Sequence, residues 1–221
     1  MADINSPYWP YERVMDYASI PHTEFFLKKI VDYLMDLPGK GYVPKDNNDY
    51  PRCRIWKMLY WDAEDPLSMP LPTPEQKLSV LYDPKNPDTP PDKKRLYRFF
   101  PMIYTSPQAE YIGAVTMKVI LGPARGTSPF RIDQCVTFEV MSNSAYENNA
   151  QRNILSRTYD IVSSLIKALN GVNIDGVGTF YFDRRQNPDC EITPVWDKAS
   201  NVGYDLTMGV SFIGGEGVDM S

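Results

Sequence analysis

Near its C-terminus the chain reads SNVGYDLTMGVSFIGG, Ser200 to Gly215, and no other stretch restricts the fold as tightly. Val202, Tyr204, Leu206, Met208, Val210 and Phe212 occupy every second position, with Gly203, Asp205, Thr207, Gly209 and Ser211 between them. Successive strand residues point to opposite faces, so the alternation predicts one apolar face and one small, wettable face. At about 3.3 Å per residue, Val202 to Phe212 spans about 36 Å, nearly twice the usual strand. The apolar face needs a cover. The polar face is open to solvent, to a channel or to a neighbouring molecule.

The cover is supplied just upstream. Ile154, Thr158, Ile161, Val162, Leu165 and Leu169 lie at helical spacing, and Asn170-Gly171 is a C-terminal stop. A first helix is expected over 23–37, where Phe26, Ile30, Tyr33 and Leu37 form a stripe widened by Leu27, Val31 and Leu34; Thr23 caps it and Pro38-Gly39 ends it. Strand composition marks CRIWKMLYW (53–61), SVLY (79–82), RLYRFFPMIY (95–104), Tyr111–Leu121, QCVTFEVMS (134–142), GVGTFYFDRR (176–185) and CEITPVWD (190–197). GPARGTSP (122–129) reads as a turn or loop. Helix, strands, helix and strands in succession predict an α+β fold. It has a mostly antiparallel sheet with two main helices packed on one face.

The 221 residues are expected to divide into an extended N-terminal arm (1–22), one α+β domain (23–215) and a C-terminal tail (216–221). The domain carries a proline-rich insertion at about 62–94, with eight of the 20 prolines lying between Pro66 and Pro91. A formal net charge of −5 argues against a general nucleic-acid binder. The basic group Lys93, Lys94, Arg95 and Arg98 is read as a solvated face. No apolar run reaches the ~18–20 residues that span a bilayer, and MADINSPYWPYERV lacks the design of a signal peptide. Cys53, Cys135 and Cys190 are odd in number and far apart, so a disulfide framework is not expected, in keeping with a reducing cytoplasm.

The sequence offers no catalytic kit, no metal site and no cofactor motif. Its one histidine, His22, precedes the first helix, and every Ser-His-Asp or Cys-His scheme would have to pass through it. The cysteines lack zinc-ligand spacing and read as buried, inert thiols. Asp62, Glu64 and Asp65 lack the glycine and distal glutamate of a calcium loop and read as turn acids. GPARGTSP lacks the Gly-Lys-Ser/Thr ending of a phosphate-binding loop, and PGKGY (38–42) follows a helix where such a loop precedes one; both read as turns. Phe180, Phe182, Tyr204 and Phe212 sit at apolar strand positions and belong to a core. Tyr8, Trp9 and Tyr11 in the arm, together with Pro70, Pro72 and Pro74 of the insertion, are instead subunit-interface candidates.

The succession CVTFEVMSNS, QRNILSRTYDIVSSLIKALNG, GVGTFYFDRR and NVGYDLTMGVSFIG resembles tail terminator and related neck proteins of long-tailed bacteriophages over about residues 95–215. The resemblance lies in the order and texture of elements and includes no invariant motif. It implies a helix-backed sheet that forms a homo-oligomeric ring, with a hexamer favoured. Such a ring ends the tail tube, joins it to the head and meets neighbouring tail tube and neck proteins. The location implied is the virion after synthesis in the host cytoplasm, with no membrane. DNA would pass through the ring without sequence-specific binding. Asp205, Thr207 and Ser211 then form the lumen or assembly face. The region 38–94 has no obvious counterpart in that family. The competing readings are another tail, neck or baseplate component, or a small enzyme or carbohydrate-binding module using exposed aromatics and scattered acids.

Overall fold

A computed structural model describes residues 23–36, 46–83, 97–101, 115–128, 131–143, 156–197 and 201–213. The arm at 1–22, including His22, Tyr8, Trp9 and Tyr11, lies outside the described residues, as do Lys93, Lys94, Arg95 and the tail at 216–221. The chain has mixed helix and strand content with a mostly antiparallel sheet, an α+β arrangement. Among the described residues no helix is long and apolar enough to cross a membrane.

The alternating segments form the centre of the sheet. Strands β2 (Thr116–Ser128), β3 (Arg131–Asn143) and β7 (Asn201–Ile213) are each thirteen residues long. β3 and β7 pair without a register shift from Arg131↔Ile213 to Asn143↔Asn201. On its far side β7 is shared between β5 (Gly178–Tyr181) and β6 (Glu191–Trp196), and β5 leads on to β4 (Asn173–Ile174). At the other end β1 (Phe99–Phe100) pairs in parallel with Met117 and Lys118 of β2.

The expected turn at 122–129 is corrected: β2 continues through Gly122-Pro123 to Ser128. The ladder accommodates the glycine and proline with register shifts between Leu121 and Ala124 and between Gly126 and Ser128. Bulges absorb such residues without ending a strand. The last pair of this ladder is Ser128 with Arg131.

The larger correction concerns CRIWKMLYW, which is helix α2 (Pro51–Tyr60) and no strand. Pro51 sits in the first turn, where a missing N–H costs nothing. Residues 55–60 are all buried, and a short apolar run buried all round has no period that separates strand from helix. SVLY is likewise no strand. Ser79 ends the short helix α3 (Pro74–Ser79), and Leu81 makes a single bridge to Phe99. Among the described residues the helical layer therefore exceeds the two expected helices, α1 (Thr23–Met35) and α4 (Arg157–Leu169), by α2 and the shorter α3.

These elements enclose one core. Leu27, Ile30, Val31 and Leu34 of α1, Ile55, Trp56, Met58 and Leu59 of α2, and Ile161, Val162, Leu165 and Leu169 of α4 meet Met117, Val119, Val136, Phe138, Val140, Leu206, Met208 and Val210 of the sheet. Phe180 is fully buried among them, and Phe182 and Tyr204 pack at the margin. α4 lies against β3, β7 and α2.

Helix ends within this layer carry unpaired carbonyls that need donors. For α1, Arg52 donates to the Tyr33 carbonyl (2.8 Å), Trp56 Nε1 to Leu34 (2.7 Å) and Lys77 Nζ to Met35 (2.9 Å). The helix ends at Asp36, whose φ of 50° puts it in the left-handed region that Asp tolerates. For α2 the donor is Arg98, which reaches the Leu59 (3.0 Å) and Tyr60 (2.9 Å) carbonyls and the Asp62 carboxylate (2.6 Å). Arg98 is thus buried, in contrast to the solvated role expected of it. Asp62, read as a turn acid, is its ion partner. Replacing Arg98 with alanine orphans two buried carbonyls, and chemical denaturation should show stability lower by about 1–3 kcal/mol.

Candidate functional site

The face of the sheet turned away from the helices holds the three residues expected to share it. The unbroken β7 strand places Asp205, Thr207 and Ser211 on one side. Asp205 stands opposite Glu139 on β3 and Thr193 on β6, and Glu139 stands opposite Lys118 on β2. The result is a row across four strands: Lys118, Glu139, Asp205, Thr193. One pair along, the Thr137 and Thr207 hydroxyls hydrogen-bond at 2.9 Å. Ser211 lies opposite Asp133 on β3 and Thr179 on β5.

The row is electrostatically uneven. Lys118 spends its ammonium on Glu139, and among the described residues Asp205 has no ion pair. One carboxylate oxygen of Asp205, Oδ1, is buried without a hydrogen-bond partner among them. Burial pushes the Asp205 carboxyl above its ordinary range, Glu139 pushes it further, and Lys118 offsets part of this. Asp205 is therefore half-buried and short of a cation. It is neither a freely solvated acid nor one neutralised inside the fold.

The other end of this face is closed. The Tyr181 ring lies over Gly209, and a Cβ there would come within 2.3 Å of the ring, so only glycine fits. Asn187 Nδ2 donates to the Cys135 thiol at 3.3 Å, and Asp189 pairs with Arg125 at 3.0 Å. All three cysteines are buried and unbridged. Burial raises each thiol above its ordinary range, which lowers the thiolate fraction that nucleophilic or metal chemistry requires.

A second feature, missed in the sequence, occupies the corner where β6 meets the start of α4. Trp196 is 75% exposed and Tyr159 49% exposed. Tyr159 stacks edge-on against Tyr204 (5.3 Å between centroids), Pro194 is the cross-strand partner of Tyr204, and Trp196 that of Val202. The only available signal was Trp196 at the end of a strand that contains proline, which marks an edge.

The prolines proposed for an interface have separate places. Pro72 is buried, and Pro74 is in the first turn of α3, behind a capping box in which Thr73 and Gln76 exchange hydrogen bonds. Pro70 is exposed, and its carbonyl accepts from Trp61 Nε1 at 2.9 Å. Asp65, one of the turn acids, accepts from the Leu67 amide at the start of the 3₁₀ turn Pro66–Ser68.

Among the described residues no group of three His, Cys, Asp or Glu side chains is placed to hold a metal ion. The open row can accept a proton or a cationic side chain. A group whose folded pKa is raised contributes stability that is present below its unfolded pKa and is lost as pH rises through the folded value. Asp205→Asn should therefore stabilise the protein at pH 7 by about 0.2–1 kcal/mol, the range for relieving a like-charge cross-strand pair. The gain over wild type should vanish as pH falls through the carboxylate range, which thermal melts at several pH values would measure. In comparison with known proteins, no family model and no curated protein sequence matches this chain.

Proposed function

We propose that this chain is a structural virion protein: a subunit of a ring, six copies in the favoured form, that ends the tube of a long phage tail and joins it to the head. The observation that carries the reading is the two-sided sheet. One face of β3 and β7 is buried under α4, while the other presents the half-exposed row Lys118, Glu139, Asp205, Thr193. A helix-backed antiparallel sheet with a polar open face is the arrangement that the resemblance to tail terminators implies. An acid-rich open face also suits a passage for DNA, because phosphate is repelled where lysines and arginines would hold it. Neighbouring tube and neck proteins are the partners this assigns.

The test is native mass by light scattering behind a sizing column at two concentrations, with and without purified tail tubes. The expected result is a discrete ring, hexameric in the favoured form, either free at high concentration or closed on the tube end. A monomer at every concentration that also leaves tube ends bare overturns the proposal.

A further inference from the structure

Among the described residues two edges of the sheet, those of β6 and β2, are opposite in character. Among the described residues β6 pairs only with β7, and β1 covers β2 only at Met117 and Lys118, leaving the outer side of β2 from Val119 to Ser128 without a strand. The β6 edge runs Glu191, Ile192, Thr193, Pro194, Val195, Trp196 and then Asp197, with two acids and no base. The uncovered β2 edge runs from Val119 to Ser128 with one base, Arg125, and no acid. Pro123, Ala124 and Arg125 are all exposed, and the Arg125 side chain is 57% exposed even with Asp189 beside it.

We infer that a second copy of this chain docks its β2 edge, at Pro123–Arg125, against the β6 edge and Trp196 of the first. The inference rests on the self-assembling reading above and names its interface. Three observations select this occupant. Trp196 and Tyr159 are two of the three large exposed hydrophobic side chains among the described residues, and both lie at one corner with Tyr204 and Pro194. Tryptophan and tyrosine at such a site supply contact area at little entropic cost and dominate interface energetics. A guanidinium and a proline ring are good cover for an indole face, and β2 offers both, two residues apart, at Pro123 and Arg125. Charge then fixes the polarity. Joining β6 to β6 sets the exposed acids Glu191 and Asp197 against acids of the copy, whereas β6 to β2 sets them against Arg125, which stays 57% exposed beside Asp189.

Such an interface is heterologous. Repeated, it closes into a ring or continues as a filament, and each subunit uses both edges once. Pro194 and Pro123 each lack an amide hydrogen, so the two edges do not zip into an unbroken ladder. Side chains hold the contact, with Trp196 at its centre.

The experiment uses full-length protein with two classes of variant. Trp196→Ala removes the anchor on β6 and leaves β2 intact; Arg125→Glu and, separately, Ala124→Trp spoil β2 and leave β6 intact. Ala124→Trp adds bulk without removing the Arg125–Asp189 pair, so it guards against local damage from Arg125→Glu, and far-UV spectra and melts establish that each variant is folded. Each variant alone should weaken self-association at least about 30-fold, the loss of a hot-spot side chain. Mixing Trp196→Ala with either β2 variant should yield a heterodimer and nothing larger, because one intact interface remains per pair. Rings that persist in Trp196→Ala, or a mixture of weakened variants that stays monomeric, overturn this interface and leave the ring reading standing. A wild-type chain that is monomeric at every concentration, with or without tubes, removes the ring reading and this inference with it.

Discussion

The pairing of β3 with β7 is the constraint on which the other contacts depend. It runs through thirteen consecutive residue pairs without a shift. Because the side-chain period of a strand is two, a slip by one residue would turn Leu206, Met208 and Val210 out to the open face and bring Asp205 and Thr207 under α4. That would exchange three fully buried apolar groups for a carboxylate and a hydroxyl in a dry core, which no partner there could satisfy. β5 and β6 take their places from the far edge of β7, so the positions of Tyr181, Pro194 and Trp196 follow from the same register. The carboxyl row and the aromatic corner are thus two consequences of one alignment.

The helical layer is joined to this sheet by a different device. The last turn of α1 ends in three carbonyls served by Arg52, Trp56 and Lys77, and α2 ends in two served by Arg98, which immediately precedes β1. Arg157 at the start of α4 donates to the Ala63 carbonyl just past α2, and the Tyr33 hydroxyl on α1 donates to the Ala168 carbonyl near the end of α4. A cation at a helix C-terminus is favoured by the helix dipole, which offsets part of the cost of burying Lys77 and Arg98. Each bond also spans a long stretch of chain, so forming it fixes one element's end against another's flank. Asp36 shows the limit of this arrangement. Burial raises its carboxyl above the ordinary range although Arg52 stands 3.2 Å away, so desolvation outweighs the ion pair.

How much of this was legible follows from which residues carry a period. β7, β3, α1 and α4 are each apolar on one side and polar on the other, and their alternation or stripe places them without reference to anything distant. Residues 55–60 carry no such contrast, because all six are buried; only Pro51 favoured a helix over a strand. Gly122 and Pro123 have strong turn propensity, and the ladder with β3 overrode it. The roles of Arg98 and Lys77 were hidden for a related reason. A buried cation is read as surface unless its acceptors are known, and those acceptors are backbone carbonyls 38–42 residues away. For the candidate site, Asp205, Thr207 and Ser211 could be assigned to one face, whereas Glu139 and Lys118 join them only once the register of three strands is known.

Departures from local consistency are informative because a chain that folds well satisfies most of its own preferences. Among the described residues most of the interior obeys these preferences, with apolar side chains buried and helix ends given donors, at the cost of burying Lys77 and Arg98 and desolvating Asp36. Two further departures are on surfaces: Asp205 facing Glu139, whose one lysine partner lies on the far side from Asp205, and a tryptophan three-quarters exposed at a sheet edge. Each costs an isolated subunit stability or solubility and returns nothing to it. In the proposed head-to-tail ring both acquire a use. The indole leaves water against the next subunit's β2 edge, and the uncompensated carboxylate keeps the open face acidic, where a bound phosphate backbone would otherwise stall. Features that are faults in a monomer and assets in one particular assembly are better accounted for by that assembly than by the monomer.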